Sequence, residues 1–281
     1  MSELDPDIEV SSADAVDELV STSKRRADFP LRRSFLQQRV DGRPAPGPLA
    51  ALVGAGDLRA LHLYLLLLTK ASREPWDAAL PAAAWARALD LPLPTSKTAQ
   101  SAISKAWLRL ERHHLVERER RQRRAHITLL REDGSGEPYT HPGDAREPYL
   151  RMPLALWLSG PTELKRWYQV LSLSELAVLL IARSLGDEFR LPFEQAPDWY
   201  GISADTASRG VAGLISRGLL RADKHYKKAP LSAVGYTAES RYTLQQDFGP
   251  IGRVSGRAVP TSPAPVNPLR RRSKAPTGPD S

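Results

Sequence analysis

Apolar residues recur at helical spacing in two long stretches of the chain, and each stretch is followed by the same succession of patterns. In the first, Leu58, Leu61, Leu65 and Leu68 share one helical face behind Asp57, a residue type that caps helix N-termini. A second helix is expected over Pro81 to Leu89, with proline at its first position. A third, Thr98 to His113, aligns Ile103, Trp107 and Leu110. Charged strands over Leu115 to Arg120 and Arg124 to Leu130 then flank Arg121-Gln122-Arg123 as a hairpin.

The second stretch repeats this order. Ser172-Leu173-Ser174-Glu175 has the spacing of a capping box ahead of the apolar run Leu176 to Leu185, and Gly186 suits its end. A short helix follows Leu191-Pro192 and runs to Trp199 or Tyr200. Gly201-Ile202-Ser203 turns the chain into a third helix, capped by Ser203 and with Ala207, Val211 and Leu214 as its inner stripe. Leu80-Pro81 matches Leu191-Pro192, and Leu89-Asp90-Leu91 matches Tyr200-Gly201-Ile202, at an offset of 111 residues. Past an insertion holding Pro92, Pro94 and Thr95, Ile103-Ser104-Lys105 matches Ala207-Ser208-Arg209 and Leu115-Val116 matches Leu219-Leu220 at an offset of 104. Two copies of one unit account for this economically.

The pattern divides the chain into five parts. Residues 1–47 start acidic, turn basic at Lys24-Arg25-Arg26 and Arg32-Arg33, and end turn-rich; a disordered arm is expected there, with at most one short helix, over Arg32 to Val40. The first unit spans 48–132 and the second 171–248. Residues 133–170 form a partly helical connection whose Tyr149, Trp157, Trp167 and Tyr168 are expected to fill a core, fix the units relative to each other, or make a dimer contact. Residues 249–281, rich in Pro, Ser and Arg, read as a disordered basic tail.

Charge adds a partner class. The chain carries +8, and seven acids with no Lys or Arg in the first eighteen residues leave +15 on residues 19–281. Between Thr95 and His126 nine Lys or Arg stand against three Glu, a density that favours a polyanion nearby. With no cysteine, disulfides and thiolate metal sites are excluded. The acidic start lacks the features of a signal peptide, and the longest apolar run, Leu63 to Leu68, is too short for a membrane span. The expected setting is cytoplasmic, with no membrane partner. None of the six histidines has a metal-ligand spacing, and no GxxxxGK[ST], GxGxxG or GxSxG string occurs, so no cofactor and no enzymatic activity are expected.

Residues 198–228, DWYGISADTASRGVAGLISRGLLRADKHYKK, resemble the helix-turn-helix and wing of bacterial winged-helix DNA-binding proteins: a turn glycine, an N-cap serine, a helix with a small residue and an apolar stripe, and Ser216-Arg217-Gly218-Leu219-Leu220 ahead of the wing. The resemblance implies a mainly α fold with small β-hairpin wings, two tandem winged-helix domains, and double-stranded DNA as the partner. Independently of the family, a helix ~12 Å across enters the major groove and its first residues reach base edges. The expected contacts are Ser203, Thr206, Ser208 and Arg209 on the second helix and Lys224, Lys227 and Lys228, beside His225, on its hairpin. On the first unit they are Lys97, Gln100, Ser101, Ser104 and Lys105, followed by Arg121, Arg123 and Arg124 among the hairpin arginines; Asp205 is assigned to the helix dipole. A transcriptional regulator is the leading expectation. A plasmid or mobile-element replication initiator is the alternative, and a non-catalytic protein-interaction module the second.

Overall fold

The computed structural model describes residues 10–121, 124–144 and 147–249. Ser11 opens the first helix, α1 (Ser12–Ser21), with a reciprocal cap: its hydroxyl accepts from the Asp14 amide (3.1 Å) and its own amide donates to the Asp14 carboxylate (2.9 Å). Val16, Leu19 and Val20 of this helix are buried. Strand β1 (Asp28–Arg32) follows, and Arg32 at its end is almost fully buried, ion-paired to Glu132 and Glu147 and donating to the carbonyl and hydroxyl of Thr140 (2.8 and 2.9 Å). β2 (Gln37–Val40) and β3 (Arg43–Pro46) form a two-residue hairpin in which Asp41 and Gly42 both take positive φ, 51° and 76°.

The expected disordered arm is therefore corrected for residues 10–47. Its few apolar residues are spaced to dock onto the rest of the chain, which a count of turn formers does not register. The expected helix over Arg32 to Val40 is also corrected. Only Arg33–Phe35 makes a 3₁₀ turn, because the Asp41-Gly42 turn draws Gln37–Val40 into a strand.

α2 (Leu49–Gly54) leads into α3 (Leu58–Lys70), where Asp57 accepts from the Ala60 amide at 3.0 Å as the expected cap. Then come β4 (Asp77–Ala79), α4 (Ala82–Ala88), α5 (Lys97–Arg112), β5 (Val116–Arg121) and β6 (Arg124–Leu129), the strands pairing in the order β4-β6-β5. β7 (Tyr149–Pro153) pairs antiparallel with β1, and α6 (Ala155–Leu158) and α7 (Trp167–Val170) complete the connection. Trp157, Trp167 and Tyr168 are core, while Tyr149 is half-buried: Trp157 donates to Thr69 of α3 (3.0 Å), and Trp167 donates to Asp247 (3.2 Å) and packs on Phe248. His62 of α3 lies edge-on to Trp157 and Tyr168, and burial pushes its imidazole down to about 4.

α8 (Leu173–Leu185) carries the expected capping box, Ser172 with Glu175. β8 (Glu188–Phe189), α9 (Ala196–Tyr200), α10 (Ala204–Ser216), β9 (Leu220–Lys228) and β10 (Tyr236–Leu244) end the described fold, with strand order β8-β10-β9. Gly210 lets α10 press onto α8, since a Cβ there would lie 2.4 Å from the Ser174 carbonyl oxygen.

The expectation of a mainly helical chain built as two tandem winged-helix domains is overturned. The described residues are 43% helical and 24% strand, an α+β mix of ten helices and several small antiparallel sheets that does not resolve into two such domains. The N-terminal segment accounts for part of the difference. α1 packs on α4 and α6, β3 on α9, and α2 on α8, so elements from both halves share one core and one compact unit. A helix–strand–helix–helix–hairpin succession does recur. Asp90 and Gly201 both take left-handed backbone at the offset of 111, and His114 and Gly218 do so at 104.

Candidate nucleic-acid interface

α5 exists because Ser96 caps it, accepting from the Ala99 amide at 3.1 Å, and because Ile103, Ala106, Trp107 and Leu110 bury one face. The opposite face is set by the same periodicity. Lys97, Ser101, Ser104 and Lys105 follow one another at spacings of four, three and one residues and are all exposed, with Arg112 farther along. Lys97, Lys105 and Arg112 make no ion pair with any described residue, and the carboxylate on this side of the helix, Glu111 two turns after Ser104, is taken by Arg118, so three cations stand unpaired. Gln100 is placed differently: its amide donates to the Thr95 carbonyl (2.8 Å) and braces the turn into the helix.

In the hairpin beside α5, strand alternation sorts the arginines. Val116, Ile127 and Leu129 are buried, which fixes the inner face as Val116, Arg118 and Arg120 with their partners Leu129, Ile127 and Ala125. Arg118 and Arg120 therefore line a cleft of 610 Å³ shared with Gln100, Ser104, Trp85 and Trp107. Arg118 is ion-paired to Glu111 (2.6 Å), whereas Arg120 makes no ion pair with a described residue. Arg121 falls on the outer face, and Glu119 holds it at 2.5 Å; that hydrogen bond keeps the Glu119 carboxyl below its ordinary range. Arg123 lies outside the described residues, and of Arg124 only the backbone, paired with Arg121, is described. Arg109 is structural, ion-paired to the α3 cap Asp57.

In the second unit Ser203 caps α10, accepting from the Thr206 amide at 3.1 Å, and its hydroxyl lies 2.9 Å from that of Thr206. Ser203 is thus engaged by the helix, while Ser208 and Arg209 are exposed. Arg209 is ion-paired with Asp205 one turn earlier at 2.9 Å, with both side chains largely in solvent. Asp205 consequently partners Arg209 as well as complementing the helix dipole. The α10 face is almost neutral. Arg217 at its end is structural, donating to Glu175 of the capping box at 2.8 Å and to the Val170 carbonyl.

The long hairpin β9–β10 also has two unlike faces. On one, Lys227, Glu239 and Arg241 join Glu188 and Arg190 in a ladder of ion pairs, with Lys227 2.8 Å from Glu239, and the His225 ring lies 3.4 Å from Glu188. The hydrogen bond from Lys227, opposed by burial and aided by the charges of Arg190 and Arg241, holds Glu239 below the usual carboxylate range. On the other face, Leu220, Tyr242 and Leu244 enter the core, and Lys224, Tyr226, Lys228 and Tyr236 continue the same face outward. Lys224 and Lys228 make no ion pair with a described residue. Lys224 and Lys228 thus share the core-side face of the sheet, and Lys227 lies on the back.

The sequence reading missed the aromatic residues on that face. The signal was the alternation Lys224, Tyr226, Lys228 itself, hidden because a lysine-rich strand was read as a run of charge. Among the described residues no group of three or more His, Cys, Asp or Glu could hold a metal ion, and no helix is long and apolar enough to cross a membrane. No family model, no curated protein and no solved structure matches the chain.

Proposed function

We propose that this protein binds double-stranded DNA with sequence preference through two helix-and-hairpin surfaces carried on one body, and that it serves as a transcriptional regulator. The observation that carries the reading is the unpaired cation stripe of α5, Lys97, Lys105 and Arg112, joined by Arg120 on the inner face of its hairpin. Like charges on a small surface repel, and a phosphate backbone relieves that repulsion while releasing its own counterions. Exposed Ser101 and Ser104 on the same face are short donors and acceptors for phosphates or base edges. On α10, Ser208 and Arg209 supply the corresponding polar groups, and Arg209 must exchange Asp205 for a guanine edge to read sequence.

A second reading, a replication initiator of a plasmid or mobile element, is favoured by the shared core. Two surfaces fixed in one polypeptide can cover adjacent half-sites without a second subunit. Genome-wide mapping of bound sites separates the two: scattered promoters support the regulator, and one repeat cluster supports the initiator.

The direct test is retention of a random-sequence duplex by the full chain as salt is raised. Binding at about 50 mM salt should fall by roughly 10³ or more by 200 mM if some 6 to 10 phosphates are neutralised. Absence of retention at the lower salt sinks the reading. Arg209→Ala should relax discrimination between sequences by about 1–3 kcal/mol at one position, whereas Lys224→Ala with Lys228→Ala should weaken all duplexes alike.

A further inference from the structure

We infer that the apex of the β9–β10 hairpin is an apolar wedge that enters the minor groove, with Leu231 inserted at a base step and the duplex kinked there. The inference rests on the DNA-binding reading and adds to it a contact mode and a deformation.

Four exposed large apolar side chains gather at this apex. Leu231 is fully exposed, Val234 is 66% exposed, and Tyr226 and Tyr236 are 64% and 47% exposed. The two tyrosine rings meet edge to face, 5.5 Å apart, at the base of the loop. The loop itself is built by hydrogen bonds: Ala229 donates to the Gly235 carbonyl (2.9 Å), Ser232 to Ala229 (2.9 Å) and Gly235 to Ser232 (3.0 Å). The Ser232 hydroxyl donates to the Tyr236 carbonyl at 3.2 Å. Leu231 is therefore presented at the tip of a closed turn. A cluster of this kind on an otherwise charged surface marks a contact site.

Charge identifies the occupant. Lys224 and Lys228 share the face of Tyr226 and Tyr236, and the acidic groups of the hairpin, Asp223 and Glu239, lie on the opposite face. An apolar point backed by two unpaired lysines of β9, with carboxylates turned away, matches a groove whose floor is a stack of bases and whose edge is phosphate. The two-stranded ribbon is wider than the ~6 Å minor groove, so the side chains of the apex alone enter it. Nine-residue strands reach roughly 30 Å, most of one ~34 Å helical repeat, so the tip can reach the minor groove next to the groove that α10 faces. Leu, Phe, Ile, Met and Pro are the side chains that unstack base steps in this way, and the apex carries Pro230 next to Leu231.

The test uses the full chain and a duplex that the wild-type protein selects from a random pool, labelled at both ends for energy transfer and carrying 2-aminopurine at successive steps. The wild type should shorten the end-to-end distance and raise 2-aminopurine emission at one step. Leu231→Ser should abolish that rise and reduce the shortening while the duplex remains bound, and Leu164→Ser, an equally exposed leucine elsewhere, should change neither. If the wild type binds but neither bends nor unstacks the duplex, or if Leu231→Ser bends it as before, the wedge is overturned and DNA binding stands. If no duplex is selected at all, the underlying reading fails instead. A change in sedimentation on Leu231→Ser with bending intact makes the apex a self-association surface and overturns the proposal.

Discussion

The two helix-and-hairpin surfaces share a plan and differ in where they place charge. On the first, the helix carries the free cations and the hairpin is short, spanning 14 residues from Val116 to Leu129. On the second, the helix is nearly neutral because Asp205 answers Arg209, and the hairpin spans 25 residues from Leu220 to Leu244. Its free lysines and exposed aromatic residues sit far out along the strands. One arrangement can therefore be weighted toward attraction at the helix or toward shape at the hairpin, without a change in element order. In the proposed function the first surface supplies more of the salt-dependent affinity and the second more of the discrimination.

The largest expected effect tests the premise that both surfaces belong to one body. Arg32→Met strands Glu132 as a buried carboxylate without its guanidinium, and loss of one partner of a buried pair costs about 3–5 kcal/mol. Chemical denaturation should show that loss in a single transition. Two separated transitions in the wild type would break the premise.

Acid tests the same joint from the other side. The His62 imidazole has a folded value of about 4 against an ordinary 6.5, so the folded state disfavours its proton. Its contribution is present above pH 6.5 and is lost as pH falls from there toward 4, by about 3 kcal/mol in all. Equilibrium unfolding of wild type and His62→Leu across that range should show a steeper acid loss in the wild type.

A smaller effect sharpens the comparison between the surfaces. Replacing Lys97, Lys105 and Arg120 together with alanine should make the salt dependence of duplex binding shallower by about 3 in slope, while sequence preference survives. An unchanged slope would assign the affinity to the second surface. Smallest of all is Lys227→Ala. Because that ammonium is committed to Glu239 on the outer face, binding measured by titration should stay near wild type, in contrast to Lys224→Ala with Lys228→Ala.

Much of the local structure was legible. The caps at Asp57, Ser172 and Ser203 are where the spacing put them, and α5 and the strands after it agree with expectation to within a residue or two. The short strands β4 and β8 were missed, since two or three residues carry no period and exist only by pairing with β6 and β10. The N-terminal hairpin had a signal in Val40-Asp41-Gly42-Arg43, which was outweighed by the prolines around it. Pro44 and Pro46 are accommodated because β3 pairs only with β2. At the candidate interface, residue type identified the cations but not which were free. Gln100, Arg121, Ser203 and Lys227 all carry the right chemistry, and each is engaged by a neighbour within the fold.

By itself the sequence determined the helices of the two recurring stretches, the caps at Asp57, Ser172 and Ser203, the basic surplus and the recurrence of one element order, because these follow from periodicity and from side chains within a turn of one another. Only the tertiary structure decided that the N-terminal segment is core, that the halves form one body, and which lysines and arginines face outward unpaired. Those outcomes depend on contacts such as Arg32 with Glu132 and strand faces such as that of Tyr226, which join residues far apart in the chain. Local pattern cannot fix such contacts, since their energy exists only once both partners are in place.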